Sequence, residues 1–486
     1  MTIDAATRYL SLHSLTTFSH VLLVRDDAGE PKTSEHGDAL RTTISPQSKR
    51  RAKRMHSRDE ANLGTGPLAT HAWGVRTREW ALRVAEALRD EHGWEPQAAL
   101  ETARAALRGI GLNFGSTPNT AFLTKVMVFA PEKTGSTLAQ IIHEDRTELE
   151  AWATMVADAA AVAAKAKSKG KGKKKGKVES TAAADTGTED AEAYGAETGG
   201  EAAALEEKAP PMPARIKARL ITGLAPADAI DIALYGRFLA EVAGAGNVDG
   251  AIQTTTSFSV EPASIVRDFF SAADDFKIAR QRVGTDFTGA LARLNAAAPF
   301  DAADPKEPEG YTLDERGAGM TGHQNFFNGT FYAHSVLDRV QLRRNLANGG
   351  MNPQKVERAA RDAELAFVNA FVNAVPSAKK NTTAAPGTLP KLVLAHAGPR
   401  PYNYAAVFEK AIHRHEGVPS LIAAKRLLKH HAMITKKQRV DPGAVLSYDI
   451  ATIEYLDTLR DAGNLGPTEV DHPAELSPYC PAGQPA

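Results

Sequence analysis

Cysteine is almost missing from this 486-residue chain: Cys480 stands alone, so no internal disulfide can form and no secreted disulfide framework is available. Aromatic residues are sparse, at 6%. No run of about 18 apolar residues occurs, so no membrane-spanning helix is expected. Residues 1–20 lack the basic segment followed by an apolar run that marks an export signal. A reducing, cytoplasmic setting is the expectation, with no membrane partner. Net charge is also missing, since Lys plus Arg and Asp plus Glu number 58 each, and any case for nucleic acid must come from local charge. There is no Cys/His quartet, no Walker-A glycine loop and no His-Glu-x-x-His, so neither a metal ion nor a cofactor is expected. The fifteen histidines are scattered. His430, His431, His413 and His415 come nearest to a cluster and read as surface-helix positions.

What is present reads as an α/β chain of the α+β kind, 43% hydrophobic. Residues 9–15 (Tyr-Leu-Ser-Leu-His-Ser-Leu) alternate apolar and polar side chains, the period of a half-buried strand. A polar loop follows over 25–38. Ser45-Pro46 then supplies an N-cap residue with proline at the first helical position, where its missing N–H is harmless. Alanine-rich segments at 79–91, 97–107 and 138–164 read as helices. Eight lysines between 165 and 177 precede nine acidic residues between 179 and 207, with almost no large apolar side chain. Such a stretch cannot offset its ordering entropy, so disorder is expected over 165–213, ending at Pro210, Pro211 and Pro213. Beyond it come a helix at 226–243, strand-like residues at 250–260, a Pro/Ala/Asp/Glu-rich loop insertion at 294–319, a strand at 325–336, a helix at 352–375, a strand at 390–396 and a helix at 403–414. Strand, helix, strand, strand, helix, strand is a ferredoxin-like order, shared with RNA-recognition-motif cores.

The sharpest chemical signal lies at the start of the basic helix. Lys49, Arg50, Arg51, Lys53, Arg54 and Arg58 fall within ten residues, with Arg50, Arg54 and Arg58 on one helical stripe. The Ser45 and Ser48 hydroxyls, the Gln47 amide and the free N–H groups of the first turn gather at the end where the macrodipole favours an anion. Arginine grips phosphate bidentately, so this pattern points to a nucleic-acid backbone. A solvated basic face is the alternative.

Several separated blocks resemble the CasC family, the backbone subunit of the type I-E CRISPR Cascade complex. These are Arg25-Asp26-Asp27, Thr43-Ile44-Ser45-Pro46-Gln47-Ser48, Asp231-Ile232-Ala233-Leu234-Tyr235-Gly236-Arg237 and Val248-Asp249-Gly250-Ala251. Further along come Asp268-Phe269-Phe270 running to Asp275, Gly329-Thr330-Phe331-Tyr332 and Val375-Pro376-Ser377-Ala378-Lys379. Pro46, Ser377 and Phe238 depart from that pattern. The resemblance implies a hand: a palm (1–69, continued at 323–486), helical fingers (70–164, returning at 214–249), and a palm strand with a β-hairpin thumb (250–322). It implies CRISPR RNA contacts at Arg25, Lys32, Ser45, Gln47, Ser48, Arg50, Arg51, Arg54, Arg237 and Lys379. A base-displacing wedge is implied at Phe238 and Met320, with the thumb aromatics Phe269 and Phe270. The implied partners are CRISPR RNA, target DNA, further copies of the chain and the other Cascade subunits (large, small, guide-end-capping and guide-processing), and the implied role is non-catalytic. A guide-bound RNA endonuclease using Asp268, Asp274 and Asp275 is the enzymatic alternative.

Overall fold

The computed structural model of the chain describes residues 4–170, 210–239, 241–242, 244, 246–273 and 318–479. The acidic stretch, the lysine tract beyond 170 and residues 294–317 of the expected loop insertion lie outside them.

The chain opens with a long strand, β1 (Tyr9–Val21). The expected polar loop instead holds β2 (Thr33–His36), which forms a hairpin with β3 (Ala39–Ile44), Thr33 facing Thr42. Ser45 in an extended conformation and Pro46 in the first turn start α1 (Pro46–Asn62). A finger-like layer follows: β4 (Gly74–Thr77), α2 (Trp80–His92), α3 (Pro96–Gly109), β5 (Val128–Pro131), α4 (Thr134–Glu144), α5 (Arg146–Gly170) and α6 (Ala214–Gly223). Residues 138–164 are thus two helices. The break falls at Asp145, which leaves helical geometry and receives the Arg215 and Arg219 guanidinium groups. Residues 165–170 continue α5, and Pro210 accepts a 2.9 Å bond from Trp152 Nε1 while Met212 is buried, so both margins of the stretch expected to be disordered are ordered. Trp80, Leu88, Leu107, Ile142 and Leu220 centre a core belonging to this layer.

Next, α7 (Ile230–Tyr235) is far shorter than the helix expected at 226–243, because Gly236 turns the chain at φ +80°. A Cβ at Gly236 would lie 2.6 Å from the Gly250 nitrogen, so glycine alone fits that turn. The strand-like 250–260 segment splits into β6 (Ile252–Thr254) and β7 (Ser257–Ser259). The chain continues through β8 (Ser264–Ala273), the 21-residue β9 (Ala318–Asp338), α8 (Arg339–Asn348), α9 (Pro353–Asn373), α10 (Lys380–Thr383) and β10 (Leu392–Gly398). It ends with α11 (Pro419–Gln438), β11 (Ala444–Leu446), α12 (Ile450–Asp461) and β12 (Thr468–Glu469). No α-helix forms over 403–414, although Tyr404, Phe408, Ala411 and Ile412 keep helical spacing. Their backbone N–H groups bond elsewhere, Tyr404 to the Tyr332 hydroxyl, Ala411 to Asp38 and Ile412 to the Val260 carbonyl, leaving only short 3₁₀ turns.

Four strands lie side by side as β10, β1, β9 and β6, every neighbouring pair antiparallel, with α1 and α9 on the connections. The fold is thus of the α+β kind expected from the sequence. One sheet face packs Leu10, Leu12, Leu337 and Val393 against Phe367 and Val368 of α9. The opposite face packs Leu15, Tyr332 and Leu394 beneath Ala423 and Leu427 of α11. β1 is therefore buried on both sides, and Ser11 and His13, expected to face water, do not. His13 stacks on Tyr404 at 4.2 Å, and His396 lies 4.9 Å from His431. His431 is thus a core residue and not a surface one.

Candidate nucleic-acid interface

The hairpin β2–β3 delivers the chain to α1 and so fixes what surrounds the helix start. The Lys32 carbonyl accepts the Thr43 N–H at 2.8 Å, so Lys32 stands beside the last residues before Ser45, its side chain in water. Arg25 is exposed and bridges to Pro31 one step further out. The Ser45 side chain makes no cap hydrogen bond, and the first backbone bond of the helix runs from Lys49 N to Ser45 O. The Gln47 and Ser48 N–H groups consequently have no acceptor within the helix. Gln47 and Arg51, four residues apart on one face, are both exposed, whereas Ser48 is half-buried.

Lys49 belongs to the basic run but not to the RNA contacts that the resemblance implies, and it is half-buried at this end of the helix. It lines a cavity of ≈20 Å³ with Ile44, Phe331, Val375 and Pro376, and burial pushes its ammonium down to about 8. No carboxylate among the described residues pairs with it. The sequence signal that marks it is its position one helical turn from both Ser45 and Lys53. The same cavity brings the 374–376 loop against α1, and Lys379 lies exposed three residues beyond, at φ +54°. Arg25, Lys32, Ser45, Gln47, Ser48, Arg51 and Lys379 thereby belong to one end of α1.

The arginine stripe behaves differently. Arg50 donates to the Ile252 carbonyl at 3.2 Å and to the Tyr235 carbonyl, and burial lowers its pKa. Arg54 donates to Asp231 at 2.9 Å and to the Gly74 carbonyl at 3.2 Å, while Arg58 reaches the same carbonyl at 3.3 Å. Asp231 is fully buried and also accepts the Gly74 N–H at 2.7 Å; burial raises its pKa against the pull of Arg54. The stripe thus clamps α1 to α7 and β4, and these guanidinium groups satisfy internal acceptors. Arg237 is likewise internal, donating to the Leu224 carbonyl and, at 3.0 Å, to that of Gly246, with its pKa pushed down to about 10 by burial. Lys53 is buried between Ser335 Oγ at 2.8 Å and Thr254 Oγ1 at 3.3 Å, and burial takes its pKa well below the usual lysine value. The expectation that a continuous stripe meets phosphate narrows, on this geometry, to Arg51 and the residues around the helix start.

The wedge candidates are all in water. Phe238 is 69% exposed, Met320 and Phe269 59% each, and Phe270 42%. Exposure of this size excludes a packed core Phe238. The β8–β9 register sets Phe270 opposite Gly322 and Ala272 opposite Met320, so Phe270 and Met320 share a face of the hairpin. Phe269 is on the other face, its ring 5.3 Å from His323. Asp268 is an exposed residue of β8, and Asp274 and Asp275 lie outside the described residues. Among the described residues no group of three His, Cys, Asp or Glu side chains could hold a metal ion, and no helix is long and apolar enough to cross a membrane.

Together these features define an α+β protein with a cationic helix start and an exposed aromatic hairpin. The chain belongs to the CT1975-like protein family, whose model matches residues 10–298 and 300–452. It is similar over 96% of its length, and 98% of the other chain, to a subunit of a solved CRISPR RNA-guided surveillance complex in a pre-nicking state, at 25% identity and a TM-score of 0.63. A second CRISPR RNA-guided surveillance complex chain shares the fold at 22% identity and a TM-score of 0.57, again with 96% and 98% covered. No curated protein matches the chain. These findings support a role associated with CRISPR RNA.

Proposed function

We propose that this chain is the non-catalytic backbone subunit of a type I-E Cascade complex, the CasC role, working in the cytoplasm. Copies polymerise along the guide and present it for pairing with target DNA, alongside the large, small, capping and processing subunits. The observation that carries the reading is the whole-chain likeness to a surveillance-complex subunit, combined with the free cations at the start of α1. Arg51, Lys32, Arg25, Lys379 and the open N–H groups suit phosphates and read no base, so sequence is left to pairing. Phe238, Phe270 and Met320 offer apolar surfaces against which a displaced base can rest.

Co-expression with a CRISPR array, purification through a tag on this chain and sequencing of the bound RNA tests the proposal. Recovery of spacer-length guides in a particle holding several copies is expected. A monomer carrying random cellular RNA would overturn it.

A further inference from the structure

The sheet face opposite α1 carries a second concentration of cations that the guide-binding reading does not use. Residues 419–439, α11 and the residue after it, hold six cations and no carboxylate in a chain whose charges balance overall. Ala423, Ala424, Leu427, Leu428 and His431 turn one face of α11 into the core. The other face presents Lys425, Lys429 and Lys436 within about 40° of arc at ~100° per residue, over roughly 16 Å of helix. All three are exposed. Arg426 is paired with Glu416 at 3.2 Å, and Lys425 rests on the Tyr455 ring at 5.0 Å. Among the described residues, Lys429, Lys436 and Lys437 have no ion-pair partner. The helix dipole accounts for cations in the last turn, such as Lys436 and Lys437, but not for Lys425 and Lys429 in the middle.

We infer that the outer face of α11 is a docking surface for the phosphate backbone of double-stranded DNA. The chemistry selects that partner. The stripe offers point charges with little open stacking surface, since Met433 is the large apolar side chain exposed along it and the half-buried Tyr455 ring is overlaid by Lys425, and single strands are usually held by aromatic stacking as well as charge. Duplex DNA needs only the charges, and a line of roughly 16 Å can reach phosphates on both sides of a major groove about 12 Å wide. A membrane surface would call for an apolar flank that the stripe lacks. The guide held at α1 cannot fill this surface, because the sheet lies between the two helices, roughly 20 Å apart by ordinary layer spacing.

The test uses the full chain with a fluorescent 30-base-pair duplex, a single-stranded RNA and a salt titration, comparing wild type with Lys425→Glu/Lys429→Glu/Lys436→Glu. We expect duplex affinity to fall at least about tenfold and the salt slope to shrink by about 2.7, three phosphate contacts at ~0.9 each, while RNA affinity holds. A melting curve confirms the fold, and the Lys→Gln triple variant repeats the measurement without charge reversal. Unchanged duplex affinity and slope, or a wild type that binds no duplex, would reduce α11 to a solvated face. An equal loss of RNA binding would assign the surface to RNA instead. Neither result touches the guide site, whose failure would show as RNA binding that ignores Arg51.

Discussion

Arg51 and Arg54 sit three residues apart on the same basic helix, and the structure separates their roles so sharply that single substitutions should give opposite phenotypes. Asp231 is fully buried and has two partners, the Arg54 guanidinium at 2.9 Å and the Gly74 N–H at 2.7 Å. Arg54→Ala strands that carboxylate, and breaking a buried pair from one side costs about 3–5 kcal/mol. For a chain of this size that is a drop in melting temperature of roughly 3–5 °C. Arg51→Ala removes an exposed side chain that has no hydrogen bond or ion pair among the described residues, so melting should not move. Its loss should appear in RNA binding: about tenfold weaker, with the salt slope smaller by ~0.7 for one single-strand phosphate. Differential scanning calorimetry and filter binding across salt concentrations measure the two effects. The double variant Arg54→Met/Asp231→Asn should recover most of the stability, because it removes the stranded charge and leaves Gly74 its acceptor. If Arg54→Ala melts with the wild type while losing RNA, the arginine clamp is wrong and the stripe faces the guide. Should Arg51→Ala keep wild-type affinity and slope, the start of α1 is not the RNA surface.

Other consequences are as concrete. Burial lowers His334 to about 4 and His396 to about 3. The unfolded chain therefore takes up more protons than the folded one as pH falls below about 6.5; stability is full above that pH and declines below it, by ~1.4 kcal/mol per unit for each ring. Urea titrations at pH 7 and pH 4.5 should differ by about 5 kcal/mol, and a flat profile would mean the rings are hydrated. Lys49, held down at about 8 by burial, should be drawn back to its charged form by a bound phosphate, so RNA affinity should fall as pH rises through 8 and 9 in the wild type and be flat there in Lys49→Met. Truncating Phe270 and Met320 to alanine should weaken any evenly spaced hyper-reactivity of bases on bound guide RNA more than it weakens binding; an unchanged period removes them from the wedge. Complementary RNA or DNA incubated with the assembled complex and magnesium or manganese should stay intact, and regular cleavage lost in Asp268→Ala would favour the endonuclease reading.

The parts legible in the sequence were those set by local rules. Ser45-Pro46 marked a helix start because proline tolerates only that end, and the α+β class followed from the alternation of strand-like and helix-like segments. The parts that were not legible depend on what lies across the sheet. The alternation in β1 promises one wet face, but α11, some 400 residues later, covers it and turns Ser11 and His13 into core groups. Tyr404 to Ile412 keep helical spacing, yet their N–H groups meet acceptors on Tyr332, Asp38 and Val260 before a helix can claim them. The same limit governs the site. A spacing of four residues places Arg50, Arg54 and Arg58 on one stripe, but it does not say which way the stripe points. That is decided by the carboxylate of Asp231 and the carbonyls of Tyr235, Ile252 and Gly74, which supply acceptors where solvent was expected. The arginines of α1 therefore divide by partner: those with buried acceptors hold the helix in place, whereas Arg51 is exposed and has no hydrogen-bond or ion-pair partner among the described residues, which is what the proposed RNA contact requires of it.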